Sequence, residues 1–364
     1  MIAGRVRVSQ CRKWRSILMV FGAAVVTLSS SASSMAQQAQ TSWTVPEGAR
    51  VTVDRQSGRV SILMPREISD RADSGARFEE WRKTPYAGKG PFPATRVEDP
   101  TLPTHTLYHP AGLPANAGKL PVVLWANGGC RNTSIEFTAF LGELASRGYF
   151  IVANGRNDVP FATNFAPSAI TRPAGQPPLQ VLGGATVLAG LDWISKENAR
   201  RGSAYYDKVD LTKVAALGQS CGGGQVWEAS KDTRIKIVAA LNSSFPTRQA
   251  GFSPGANPPT DGWTVEKLAI PAAYFIGGPG DVAYTPSQGS FAAAPATATV
   301  IKANFPLVGH TGAYREPHPE WSAAVTAWLD WQLKGDEKAK AMFVGADCGL
   351  CKNANWWFET KNAH

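Results

Sequence analysis

Short apolar runs alternate with stretches of helical periodicity from about residue 105 onward, and few architectures accept that alternation. The runs are Pro121–Ala126, Tyr149–Ala153, Val214–Leu217, Ile237–Leu241, Ala272–Ile276 and Ala298–Ala303. Their shortness and their β-branched and aromatic residues suit strands buried on both faces. Between the first two runs, Thr133 and Glu136 have capping-box spacing ahead of Phe137, Phe140, Leu141 and Leu144, with Gly148 as a stop. Val187, Leu188, Leu191 and Ile194 form a second apolar stripe, and Trp321, Val325, Trp328 and Leu329 a third. Strands alternating with helices predict an α/β fold with a mainly parallel central sheet flanked by helices.

Upstream of this region the chain changes character. Arg5, Arg7, Arg12, Lys13 and Arg15 precede the mostly apolar Ile17–Leu28, and Ser34-Met35-Ala36 suits cleavage before Gln37, so residues 1–36 read as a signal peptide. The apolar run is short for a membrane span, and no later segment has 18 uncharged apolar residues. A secreted or periplasmic protein without stable membrane insertion is the expectation. Residues 37–100 read as an N-terminal hairpin, turning at Ser57-Gly58, and an irregular arm on the core. Residues 101–345 read as the main domain and 346–364 as a polar C-terminal tail. Losing five cations and no anions with the leader reduces the formal charge from +9 to +4. A mild charge with no dense basic run argues against nucleic acid as a partner.

The run Val214–Leu217 ends in Gly218-Gln219-Ser220-Cys221-Gly222. This is G-x-S-x-G after a strand and before a helix, the setting of a nucleophile elbow. Small flanks are needed there because strand and helix approach closely at a sharp turn. The sequence "GQSCGGGQVW" lacks the Lys-Ser or Lys-Thr pair that a phosphate-binding loop requires. A serine nucleophile needs a base, and the base needs an orienting acid; in this setting the chain order is serine, acid, histidine. Of the histidines after Ser220, His310 lies in a loop beyond a late strand, His318 opens the last helical stripe, and His364 is terminal. His310 is the candidate base. Asp281, after a strand and a glycine turn in "AAYFIGGPGDVAY", is the candidate acid, ahead of Asp261 in a loop with no strand leading into it.

Acyl transfer also needs donors for a developing oxyanion. One is the N–H of the residue after the nucleophile, Cys221; the other comes from a loop after an earlier strand. "PVVLWANGGCRNT" assigns the second donor to Gly129, with Cys130 as the alternative. Donors addressing one oxygen bring Cys130 and Cys221 close, so a disulfide between them is reasonable and Cys348 then pairs with Cys351. The latter reads as a structural staple rather than a redox pair. No cluster of His, Cys and carboxylates has metal-site spacing. No cofactor is expected.

Together these segments resemble the α/β-hydrolase superfamily, closest to its secreted dienelactone-hydrolase-like, cutinase-like and polyester-hydrolysing branch, over roughly residues 90–345. "GPFPATRVEDPTLPTHTLYHP" is similar to that branch's opening strands, "GQSCGGGQ" to its elbow, "GPGDVAYTPSQ" to its acid loop and "VGHTGAY" to its histidine loop. The resemblance implies an α/β-hydrolase fold, Ser220, Asp281 and His310 as a catalytic triad, and Phe245 in "VAALNSSFP" as a substrate-lining aromatic. The expectation is an exported serine hydrolase acting on small or polymeric carboxylic esters. A peptidase or thioesterase with the same triad, or a binding protein on a hydrolase fold, are the alternatives.

Overall fold

The computed structural model describes residues 82–83, 86–157, 183–252, 258–311, 313–315 and 317–364, and the backbone of short strands nearer the N-terminus. The leader's cleavage position, the Ser57-Gly58 turn, most of the arm and most of the 155–180 loop lie outside the described residues. Strands Arg50–Val53 and Val60–Leu63 on either side of that turn pair antiparallel.

Nine strands form one sheet: β1 (Ala94–Val97), β2 (His105–Pro110), β3 (Leu120–Ala126), β4 (Phe150–Asn154), β5 (Val209–Gln219), β6 (Ile237–Leu241), β7 (Ala272–Ile276), β8 (Val300–Asn304) and β9 (Trp357–Lys361). Their spatial order is β9-β8-β7-β6-β5-β3-β4-β2-β1. The six inner strands β4, β3, β5, β6, β7 and β8 run parallel. β1 and β2 at one edge and β9 at the other pair antiparallel. The chain is thus a mixed α/β protein with a mostly parallel sheet.

Alternation along the strands divides the core in two. On one face Val123, Trp125, Ala273 and Phe275 meet helices α1 (Thr138–Ser146) and α5 (Pro319–Leu329). On the other, Val122, Leu124, Ala272 and Tyr274 meet α2 (Gly184–Ala199), α3 (Cys221–Ala229) and α4 (Tyr284–Ala293). All three apolar stripes read from the sequence are in helices whose buried side faces the sheet.

Three expectations are corrected. Glu136 does not close a capping box. Helix α1 starts at Thr138, and the Glu136 carboxylate accepts hydrogen bonds from Arg131 at 2.7 Å and Arg315 at 3.1 Å, while Asn157 Oδ1 accepts from the Ser134 N–H. A buried carboxylate needs cations more than a helix start needs one extra acceptor. Secondly, residues 346–364, read as a polar tail, hold α6 (Gly349–Lys352) and the edge strand β9, whose Trp357 pairs with Asn304. Thirdly, β5 begins five residues before Val214, because Val209 and Asp210 pair with β3 ahead of an irregularity that breaks the apolar run.

Candidate active site

In a parallel sheet the carboxyl ends of the strands open on one side, and loops leaving them converge there. β3, β5, β6, β7 and β8 each deliver polar side chains to that side.

β5 ends in Gln219, and Ser220 stands alone between it and α3 with φ 52° and ψ −119°. A non-glycine residue seldom occupies such backbone, and the surroundings hold it there. Ser220 N–H donates to Leu241 O at 3.0 Å, and Ser243 Oγ donates to Ser220 O at 2.6 Å. The flanking glycines are sterically required. A Cβ on Gly218 would lie 2.2 Å from Gly222 O, and one on Gly222 would lie 2.1 Å from Ala126 O of β3. Helix α3 begins at the next residue, with the positive end of its dipole at the serine, and its Gly223 N–H donates to Ser220 O at 3.0 Å.

His310 Nε2 lies 3.0 Å from Ser220 Oγ, and His310 Nδ1 lies 2.6 Å from Asp281 Oδ1. The imidazole tautomer that fits donates from Nδ1 to the carboxylate and accepts the serine hydroxyl at Nε2. The Asp281 side chain is fully buried and the His310 side chain is 16% exposed, so solvent reaches the base and not the acid. Three further donors hold the carboxylate: Ala283 N–H at 2.9 Å on Oδ1, and Gly277 N–H at 2.9 Å and Asn242 Nδ2 at 2.6 Å on Oδ2. A carboxylate held by this many donors cannot rotate away from the imidazole.

The turn Gly128–Cys130 after β3 lies beside the serine. A Cβ on Gly128 would be 3.5 Å from Ser220 Cβ. Buried Asn127 braces the turn, accepting from Trp125 Nε1 at 2.9 Å and donating to Asn154 O at 2.5 Å and Arg131 O at 3.0 Å. Cys130 and Cys221 form a disulfide with a Cα separation of 5.2 Å, and Cys348 pairs with Cys351 at 5.0 Å. Gly129 is exposed, one residue before the bonded Cys130.

The remaining candidates lie elsewhere. His318 caps α5 and packs its ring edge-on against Phe305 at 4.8 Å. Asp261 is an exposed partner of Lys231. Phe245 is 1% exposed between Trp227 and Tyr274, which corrects its expected place at the substrate surface: it is a core ring. Residues the sequence reading passed over are Gln219, Asn242 and Tyr314. Position at the carboxyl end of a parallel strand is the signal that finds Gln219 and Asn242; Tyr314 lies in the loop after His310, where the sequence carries no such signal.

Among the described residues no group of three or more His, Cys, Asp and Glu side chains is placed to hold a metal ion, and no helix is long and apolar enough to cross a membrane. The chain matches no protein-family model and no curated protein.

Proposed function

We propose that the protein is an exported serine hydrolase of the α/β-hydrolase kind, cleaving carboxylic esters without a cofactor. The observation that carries this is the hydrogen-bonded line from buried Asp281 through His310 to Ser220, with the serine on a strained strand-to-helix turn. Ser220 Oγ attacks the ester carbonyl while His310 Nε2 takes its proton, then returns it to the departing alcohol. Asp281 holds the Nδ1–H tautomer and offsets the charge of the transient imidazolium. The oxyanion is received by the N–H of Cys221 and that of Gly129. Water, activated by His310 in the same way, releases the acid.

Two exposed apolar side chains lie close in sequence to the proposed acid and base. Val282, next to Asp281, and Leu307, three residues before His310, are 36% and 41% exposed. Exposed apolar groups on the acid and histidine loops favour an ester with an apolar moiety. The two disulfides fit an oxidising compartment.

Labelling with a fluorophosphonate and hydrolysis of a panel of p-nitrophenyl esters test the proposal together. We expect wild-type protein to be labelled at Ser220 and to turn over esters. Ser220→Ala should remain folded, lose labelling, and retain only a residual rate on the order of 10³-fold over water. Turnover unchanged in Ser220→Ala would overturn the assignment.

A further inference from the structure

A loop histidine that must meet a serine on one side and a carboxylate on the other has little positional tolerance, since a displacement of about 1 Å can cost on the order of 10²-fold in rate. Something must hold the backbone on which the ring is mounted. His310 follows β8 by a loop, Phe305 to Gly309, and its ring contacts with Ser220 and Asp281 do not by themselves fix that loop.

The two peptide carbonyls flanking the histidine are each held by a buried side-chain amide. Asn242 Nδ2 donates to Gly309 O at 2.8 Å, and Gln219 Nε2 donates to His310 O at 3.0 Å. Asn242 is 1% exposed and Gln219 2% exposed. Asn242 Nδ2 has two hydrogens, and the second goes to Asp281 Oδ2 at 2.6 Å. Its Oδ1 accepts from the hydroxyl of Tyr314, four residues beyond the histidine. One amide therefore ties the acid, the peptide before the base and the loop after it. Gln219 is the residue before the serine, and its Oε1 lies against Gly128, where a Cβ would come within 1.8 Å. The second amide ties the elbow to the peptide after the base and packs against the turn at Gly128.

We propose that Asn242 and Gln219 are positioning residues that clamp the backbone on either side of His310 and so set the alignment of the proposed triad. Neither touches Ser220 Oγ or the imidazole; both act through the peptide that carries it. The inference rests on the reading of Ser220, His310 and Asp281 as that triad. The conformation of Asn242 agrees with a placed role, because its φ is 47°, a backbone that Asn tolerates far better than most residues and Gly better still.

That backbone also selects the test. Asn242→Gly removes the amide without adding strain, Asn242→Asp keeps its shape and removes its N–H donors, and Gln219→Met replaces the second amide at similar volume. Each is compared with wild type for p-nitrophenyl ester kinetics and for the low-field proton resonance of the His310–Asp281 hydrogen bond, identified by its loss in His310→Ala. We expect kcat to fall between about tenfold and 10²-fold with KM little changed, and the low-field resonance to shift or broaden. If one variant does not fold, the other two carry the test. Wild-type kcat in the folded variants overturns the proposal, and so does a lower kcat with an unmoved resonance, which would mark a general structural role. Ser220→Ala is measured alongside. Activity persisting there would remove the triad itself, an outcome separate from the failure of the clamp.

Discussion

At the scale of single residues, the site was legible where chemistry leaves a spacing and hidden where it leaves only a contact. Ser220 is announced by its glycines, because a Cβ at Gly218 or Gly222 would enter neighbouring backbone. Asn242 announces nothing: an asparagine after a strand reads as a turn residue, and only the fold brings it to Asp281 and Gly309. Phe245 was misplaced for the converse reason, since an aromatic after a strand suits a pocket wall and a core equally well. The histidines provide a sharp prediction. His310→Ala should reduce ester turnover by several orders of magnitude, whereas His318→Ala, which loses a ring contact with Phe305, should stay close to wild type. Steady-state kinetics on the two purified variants decide this, and a dead His318→Ala would reassign the base.

At the scale of elements, buried strands were easiest to read. β6 and β7 coincide with their apolar runs because both faces of each are covered. Helix α4 was missed because its buried side includes polar residues: Ser287 and Ser290 are fully buried, and Ser290 Oγ bonds the Tyr274 hydroxyl. β9 escaped for a related reason, since an edge strand needs apolar side chains on only part of its surface and "WFETK" reads as solvated chain. The junction that matters most joins the turn after β3 to the start of α3. The Cys130–Cys221 bond crosses it, closing a sequence separation of 91 residues. Replacing both cysteines by serine should cost roughly 2–4 kcal/mol of stability in the chain-entropy view. If the proposed oxyanion donors shift with the turn, kcat should fall as well, by up to about 10²-fold. Thermal melts and kinetics of the double variant measure the two effects separately. An unchanged melting temperature would show that the junction is held by its packing alone.

At the scale of the whole molecule, a loss of stability in acid follows from two histidines outside the proposed triad. His105 and His109 are buried on β2, and burial lowers the pKa of both, that of His105 to about 4. Between about pH 6.5 and about pH 4 the unfolded chain takes up a proton at His105 that the folded chain refuses. Stability is therefore fully present above about pH 6.5 and declines as the pH falls toward about 4, by on the order of 3 kcal/mol from His105. Urea unfolding at about pH 7.5 and about pH 5 should show a lower midpoint in acid, with a smaller difference in His105→Gln. A midpoint that does not move with pH would exclude this source. The order of the strands has a consequence of another kind. Asn127, Ser220, Asn242, Asp281 and His310 leave five different strands, and those strands are neighbours in space through pairings remote in the chain. Contacts so distant in sequence form late in folding, after local helices and turns. A chain still emerging, half-folded or cut within the sheet thus carries an ordinary serine, inert toward whatever surrounds it. On the proposed function, reactivity arrives only with the finished sheet, so the maker of this protein is shielded from it by the time that folding takes.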